Sequence, residues 1–293
     1  MAGIHWNMTL SERNAFFKIG IVFSFICVIL ILTASFFIMP VYKTANQSIS
    51  HDAFGREEIT RPSSIFQVFS GIFIKNSYYA VHIAVILSVL FSLFGMILIH
   101  SSFERTAAPE MLYIAIFTVS FAFEALRLIL PLHFLMNFPS VYIRFTARVL
   151  LFARVFCIFS LFAASIYAAG LEIQKNRNVI FIIIIATMLI TLRVPIDVLN
   201  WDTGMNMVNG FISVFRLIEM AVFVTTMIGF VIAAKIRGSL EYKHVMIGAV
   251  LALIGRNILL STDNWIGLGT GIGLLVFGTW YLCSKLHKIH LWL

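Results

Sequence analysis

Charge is the scarcest thing in this sequence. Asp, Glu, Lys and Arg make up 12% of the 293 residues and hydrophobic residues 60%, where an ordinary soluble domain carries about 25% charged residues. A mean hydropathy of +0.97 leaves too little polar surface to cover a water-soluble fold, which excludes a soluble enzyme. Cysteine is nearly absent as well. Cys27, Cys157 and Cys283 all fall inside apolar runs, so extracytoplasmic disulfides and CxxC zinc or redox centres are excluded. Lys and Arg number 21 against 13 acids, yet no basic run of five or more occurs. The excess of +8 therefore forms no phosphate-binding stripe, and nucleic acid is not expected as a partner. HExxH and GxSxG are missing too, and no lysine lies mid-helix to form a retinal Schiff base. A lipid-modifying enzyme would have only Glu124 or Glu219 with His82 or His133 to work with, and no motif joins them. No catalytic residue, metal or cofactor is expected.

What the sequence does have is long apolar runs. About 20 apolar residues cross a bilayer as helix, and eight segments reach that length: 16–39, 78–100, 111–135, 147–170, 179–199, 207–234, 244–262 and 265–284. The expected fold is an all-α, polytopic integral membrane helix bundle. Residues 1–77 form a leading transmembrane helix and an extracytoplasmic loop, and residues 78–293 form a seven-helix bundle with a short tail. The first run is longer than a cleaved signal peptide's apolar core and is read as a retained helix. Within the loop, Ile65, Phe66, Phe69, Ile72 and Phe73 recur at three- and four-residue spacing. That pattern fits an amphipathic helix on the outer membrane surface, or equally an extension of the second helix.

Alternate linkers and the termini concentrate Arg13, Lys18, Arg105, Lys175, Arg177, Lys235, Arg237, Lys243, Lys285 and Lys288 on one face. By the positive-inside rule both termini are cytoplasmic, in a plasma or bacterial inner membrane, with membrane lipids as partners. An even number of spans demands the same.

Ionisable residues at bilayer depth cost about 2.5–3.5 kcal/mol each on insertion scales, so each is a functional hypothesis. Glu124 and Arg127, Arg148 and Arg154, Arg193 and Asp197, Arg216 and Glu219, and Arg256 and Asn257 lie on five successive helices, all toward the outer side. At about 1.5 Å per residue, Arg154, Arg193, Arg216 and Arg256 fall about 9–14 Å below the outer helix ends. Such a layer should turn inward and line a cavity open to the outside. Tyr78, Tyr79, His82, Trp201 and Trp265 could complete its walls, although the two Trp fit an interfacial belt equally well. Three acid and arginine pairs sit at i,i+3 or i,i+4, where they can neutralise one another. Arg148, Arg154 and Arg256 have no acid within one turn on their own helix. The cavity is left net positive, and guanidinium groups suit a carboxylate or phosphate. An anionic small molecule or a lipid headgroup is the expected ligand, against the alternative of a purely structural ion-pair network.

Gly267, Gly269, Gly271 and Gly273 form two overlapping GxxxG patterns on the last helix, for close packing inside the bundle or for a dimer contact. Lys285, His287, Lys288, His290 and Trp292 suit anchoring at the cytoplasmic interface. With one leading helix, an extracytoplasmic segment and seven closely spaced helices over 78–284, the chain resembles the seven-transmembrane receptor modules of bacterial sensor proteins. The resemblance is one of architecture and implies a receptor role. The 40–77 loop is too short for a sensor domain and the tail after Tyr281 too short for an output domain, so any signal would pass through a separate partner. The competing expectations are a transporter of an anionic solute and a non-catalytic accessory subunit. Transport is disfavoured because no repeat appears and Pro131, Pro139 and Pro195 lie at outer helix ends rather than at the midplane.

Overall fold

A bilayer offers the backbone no water, so each apolar run must satisfy its N–H and C=O groups within itself, and a helix does that. The computed structural model describes residues 10–54, 76–104, 106, 108–136, 139–170, 176–202 and 204–291. Among them the helices are α1 (Leu10–Phe54), α2 (Tyr78–Phe103), a composite α3, α4 (Ser140–Ala168), α5 (Asn176–Arg193), α6 (Ile212–Ile236), α7 (Glu241–Ser261) and α8 (Trp265–Leu291). Helix α3 is α-helical over Glu110–Val119, 3-10 over Ser120–Leu128 and α-helical again over Ile129–Met136. The chain is an all-α bundle in which, among the described residues, seven helices are long and apolar enough to span a membrane. The eighth, α5, has only the shorter apolar stretch Asn178–Arg193.

Lipid is the solvent that its surface requires. Phe36 is 78% exposed and Leu217 69%, with Ile19, Phe181, Met220 and Ile236 similarly bare, a density of apolar surface that water would drive into aggregation. Inside, Phe17, Met96, Phe103, Phe117, Tyr113, Tyr167, Phe230 and Tyr242 form one buried core. The start of α1 is fastened to the end of α2: Arg13 donates to the carbonyls of Thr106 and Phe103, and the Asn14 amide to that of Glu104 at 2.9 Å. Phe103 in turn meets His287 of α8 edge-on at 5.4 Å. The two ends of the described chain therefore lie at the same end of the bundle.

Several boundaries differ from the sequence reading. The first helix does not stop at residue 39 but continues to Phe54, after which the sequence supplies Gly55, a residue suited to ending a helix. The 65–73 segment lies outside the described residues. Helix α4 begins at Ser140 rather than 147, directly after Pro139, which presets the backbone for a helix start. The largest departure falls at 194–211. The expected helix to residue 199 ends at Arg193, because Pro195 disfavours helical geometry in the residue before it and cannot donate to the ladder. An antiparallel hairpin follows, β1 (Ile196–Trp201) and β2 (Met207–Asn209), with Asp197 opposite Val208. Asp202, Gly204 and Asn206 supply its turn, in which Met205 takes a left-handed conformation at φ 56°.

Glycines bring α7 and α8 together, on a spacing other than the expected one. A Cβ at Gly278 would lie 2.5 Å from the backbone N of Ala252 and 2.9 Å from the carbonyl of Gly248, and one at Gly271 would lie 2.9 Å from the N of Leu259. Gly248 and Gly255 thus face Gly278 and Gly271, so the contact repeats every seven residues rather than every four. Gly269 and Gly273 look into open space. Gly278→Val is expected to destabilise the bundle by about 1–3 kcal/mol through overpacking. Gly269→Ala should change stability by less than about 0.5 kcal/mol, both read by thermal unfolding in detergent.

Candidate functional site

The chemistry of the site starts from the 3-10 segment of α3. With about three residues per turn, side chains three apart stand in line, and Glu124 and Arg127 are three apart. Both are buried, and Arg127 Nη1 lies 3.6 Å from Glu124 Oε2. From α4, Arg154 approaches the same carboxylate as a fork, Nε to Oε1 at 2.8 Å and Nη2 to Oε2 at 2.6 Å. This bidentate arrangement is the strongest that a guanidinium and a carboxylate can make. It is also obligatory, since a carboxylate in this interior would otherwise be uncompensated.

The hairpin turn rests on the two arginines. Arg154 Nη2 donates to Asn206 Oδ1 at 2.8 Å, and Arg127 Nη2 donates to the Gly204 carbonyl. A third guanidinium enters from α7: Arg256 donates to the Arg154 carbonyl at 2.9 Å and to Asn257 Oδ1 at 2.7 Å, and lies 3.5 Å from Glu219 Oε1 of α6. Four helices and the hairpin therefore meet in one network holding Glu124 and Glu219 against Arg127, Arg154 and Arg256. The carboxylate of Asp202 lies beside the same turn, close to Gly204. Between α3, α4 and the turn lies a narrow cleft of about 30 Å³, lined by Arg127, Arg154, Asn206 and Met205 together with Leu126, Ile129, Leu150 and Leu151.

The remaining candidates lie elsewhere. Arg148 donates to the carbonyls of Thr191 and Leu192 at 3.1 and 3.0 Å, where a cation suits the carbonyl end of α5. Arg193 and Arg216 are exposed on the outside of the bundle and do not join the network. Asp197 sits on β1, so the helical i,i+4 relation to Arg193 is gone. Glu219 reaches Arg256 rather than Arg216. His82 lies in the seam between α1 and α2, 2.9 Å from Ser35 Oγ, rather than in the cleft wall. Because α4 starts early, Arg154 is fourteen residues, about 21 Å, from the helix start, and its carbonyl is level with Arg256. Asn206 and Gly204 were not candidates from sequence; the turn formers around them were the available sign.

Comparison with known proteins returns no family model, no curated protein and no solved structure that matches this chain. The reading of the site rests on its own geometry.

Glu124→Gln removes the charge on which two arginines converge. It is expected to lower stability by about 3–5 kcal/mol, the cost of stranding buried charge. Arg216→Gln, on the exposed face, should cost no more than about 0.5 kcal/mol. Parallel thermal unfolding of the two variants in detergent checks the contrast, and equal losses would contradict the placement.

Proposed function

We propose that this chain is a receptor-like membrane protein that binds an anionic group, carried by a small molecule or a lipid head, in the cationic cleft between α3, α4 and the hairpin turn. One observation carries this reading. Arg127 and Arg154 line the cleft together and both approach the Glu124 carboxylate, which puts two guanidiniums at one narrow opening. An incoming anion finds planar, multiply donating groups whose desolvation the fold has already met. It also competes for them with neutral acceptors, the Gly204 carbonyl and Asn206 Oδ1. Charge-assisted bonds are roughly twice as strong as neutral ones, so occupation would loosen the turn from the arginines. Binding is thereby coupled to a movement of the hairpin that a separate partner protein can read. The orientation that fits is the cleft facing outward and the basic bundle end, with Arg13, Arg237, Lys285 and Lys288, in the cytoplasm of a bacterial inner membrane.

A second reading, transport of an anionic solute, is favoured by one feature. The helix carrying Glu124 leaves α geometry for nine residues in the middle of its span, and irregular helices at membrane depth mark transporter sites. Uptake of labelled glycerol phosphate into proteoliposomes separates the readings: a receptor takes up none.

Arg127→Gln tests the binding reading, because Glu124 keeps its bidentate partner in Arg154 while one of the two cleft guanidiniums is removed. Affinity for glycerol phosphate, measured calorimetrically, should fall by about tenfold or more, some ~1.4 kcal/mol. Stability should fall less than for Glu124→Gln. A folded Arg127→Gln protein with unchanged affinity would refute the anion site.

A further inference from the structure

A second buried acid stands at the opposite end of α3. Glu110 opens that helix, fourteen residues before Glu124, and is fully buried. Its Oε1 meets Nη2 of Arg237, just past the end of α6, at 3.4 Å. That guanidinium is shared, since Nη2 also donates to the Tyr167 carbonyl at 3.2 Å and the group lies 5.4 Å over the ring of Tyr242. The other carboxylate oxygen is worse served. Glu110 Oε2 accepts no hydrogen bond, and its one ionic neighbour among the described residues is His290 Nε2, from the last turn of α8, at 3.8 Å.

A buried acceptor left without a donor costs its full desolvation, so the state of His290 decides how well this end of the bundle is closed. His290 Nδ1 lies 3.0 Å from the Leu286 carbonyl, one turn back on its own helix. Both ring nitrogens therefore face oxygen acceptors. A neutral imidazole carries one N–H and serves only one of them, leaving the other contact as lone pair against lone pair. The imidazolium serves both. A neutral ring beside a protonated Glu110 would hold the same number of protons, so the proton count of the closed pair does not depend on which group carries the proton.

We infer that Glu110 and His290 form a proton-operated latch between the first turn of α3 and the last turn of α8. With the added proton the pair is attractive and α8 is docked; without it Nε2 and Oε2 repel, and the last turn of α8 comes free. Water supplies the proton, because the His290 side chain is 13% exposed. Histidine changes charge between about pH 5 and 8. The docked form holds one proton more than the free form, so docking is complete at the acidic end of that window. It weakens as the pH rises, by up to about tenfold per pH unit. The other ionisable groups at this end are engaged elsewhere: Lys285 and Lys288 on Glu241, His244 on Tyr281, and Arg13 on the carbonyls of Thr106 and Phe103. His100 and His287 meet Phe17 and Phe103 edge-on. The latch does not depend on the reading of the cleft.

The test is hydrogen–deuterium exchange of the backbone amides of 287–291 in the detergent-purified protein at about pH 6 and about pH 8, each corrected for the intrinsic exchange rate at that pH. Protection in the parent protein should fall by about tenfold or more from the lower to the higher pH. His290→Gln offers Oε2 an amide donor that carries no titrating proton, and its protection should be the same at both pH values. Glu110→Gln should lose the pH step as well. His290 is half-buried in a terminal turn, so its variant leaves the core intact and decides the matter if Glu110→Gln does not fold. Equal protection of the parent at the two pH values, or a step that survives in His290→Gln, would overturn the inference.

Discussion

The carboxylate of Glu124 is the fixed point of the hairpin-bearing half of this bundle. A buried acid must be compensated or the chain does not fold, and here Arg154 compensates it with two parallel hydrogen bonds while Arg127 adds a third positive contact. Once Glu124 is placed, the positions of α3 and α4 relative to each other are placed too. The other polar contacts hang from that pair: Arg154 offers its carbonyl to Arg256 and its Nη2 to Asn206, which ties α7 and the hairpin to the same point. Such a network is weak as a source of net stability, since desolvation of each charge offsets most of the attraction. Its strength is in specifying one arrangement among helices whose apolar faces could pack in several ways.

The 3-10 stretch of α3 belongs to the same constraint. An α-helix would set Glu124 and Arg127 about 60° apart around the axis, whereas three residues per turn bring them into line. Departing from α geometry costs hydrogen-bond quality in a place where no water can repair it. What is gained is a carboxylate flanked from two sides and an arginine aimed at the Gly204 carbonyl. The hairpin shows a similar departure, with Met205 in left-handed backbone next to Gly204. The irregular stretch of α3 and the left-handed Met205 thus meet at one cleft.

The class of fold was legible because bilayer thickness is written into the sequence as run length, and hydropathy needs no tertiary information. Shared depth pointed to Arg154, Arg193, Arg216 and Arg256, of which Arg154 and Arg256 join Glu124 and Arg127 while Arg193 and Arg216 are exposed, because depth does not say which face of a helix turns inward. Partner choice was not legible either. The sequence pairs Arg216 with Glu219 by spacing along one helix, but which face of α6 turns inward depends on packing, and the structure gives Glu219 to Arg256 instead. The hairpin was hidden by its composition: Ile196, Val198 and Leu199 read equally as helix end or strand, and only Pro195 together with Asp202, Gly204 and Asn206 argued for a turn. The seven-residue glycine contact between α7 and α8 was obscured by a denser GxxxG pattern, half of which faces open space.

The acceptors that these two arginines use differ in kind. Glu124 is ionised and held by Arg154 through two parallel bonds, whereas the Gly204 carbonyl and Asn206 Oδ1 are neutral and belong to the hairpin. Charge-assisted bonds are roughly twice as strong as neutral ones. The grip of α4 on α3 is therefore firmer than the grip of either arginine on the turn. The same two guanidiniums hold helices and hairpin with unequal strength, which makes the hairpin the part that gives first.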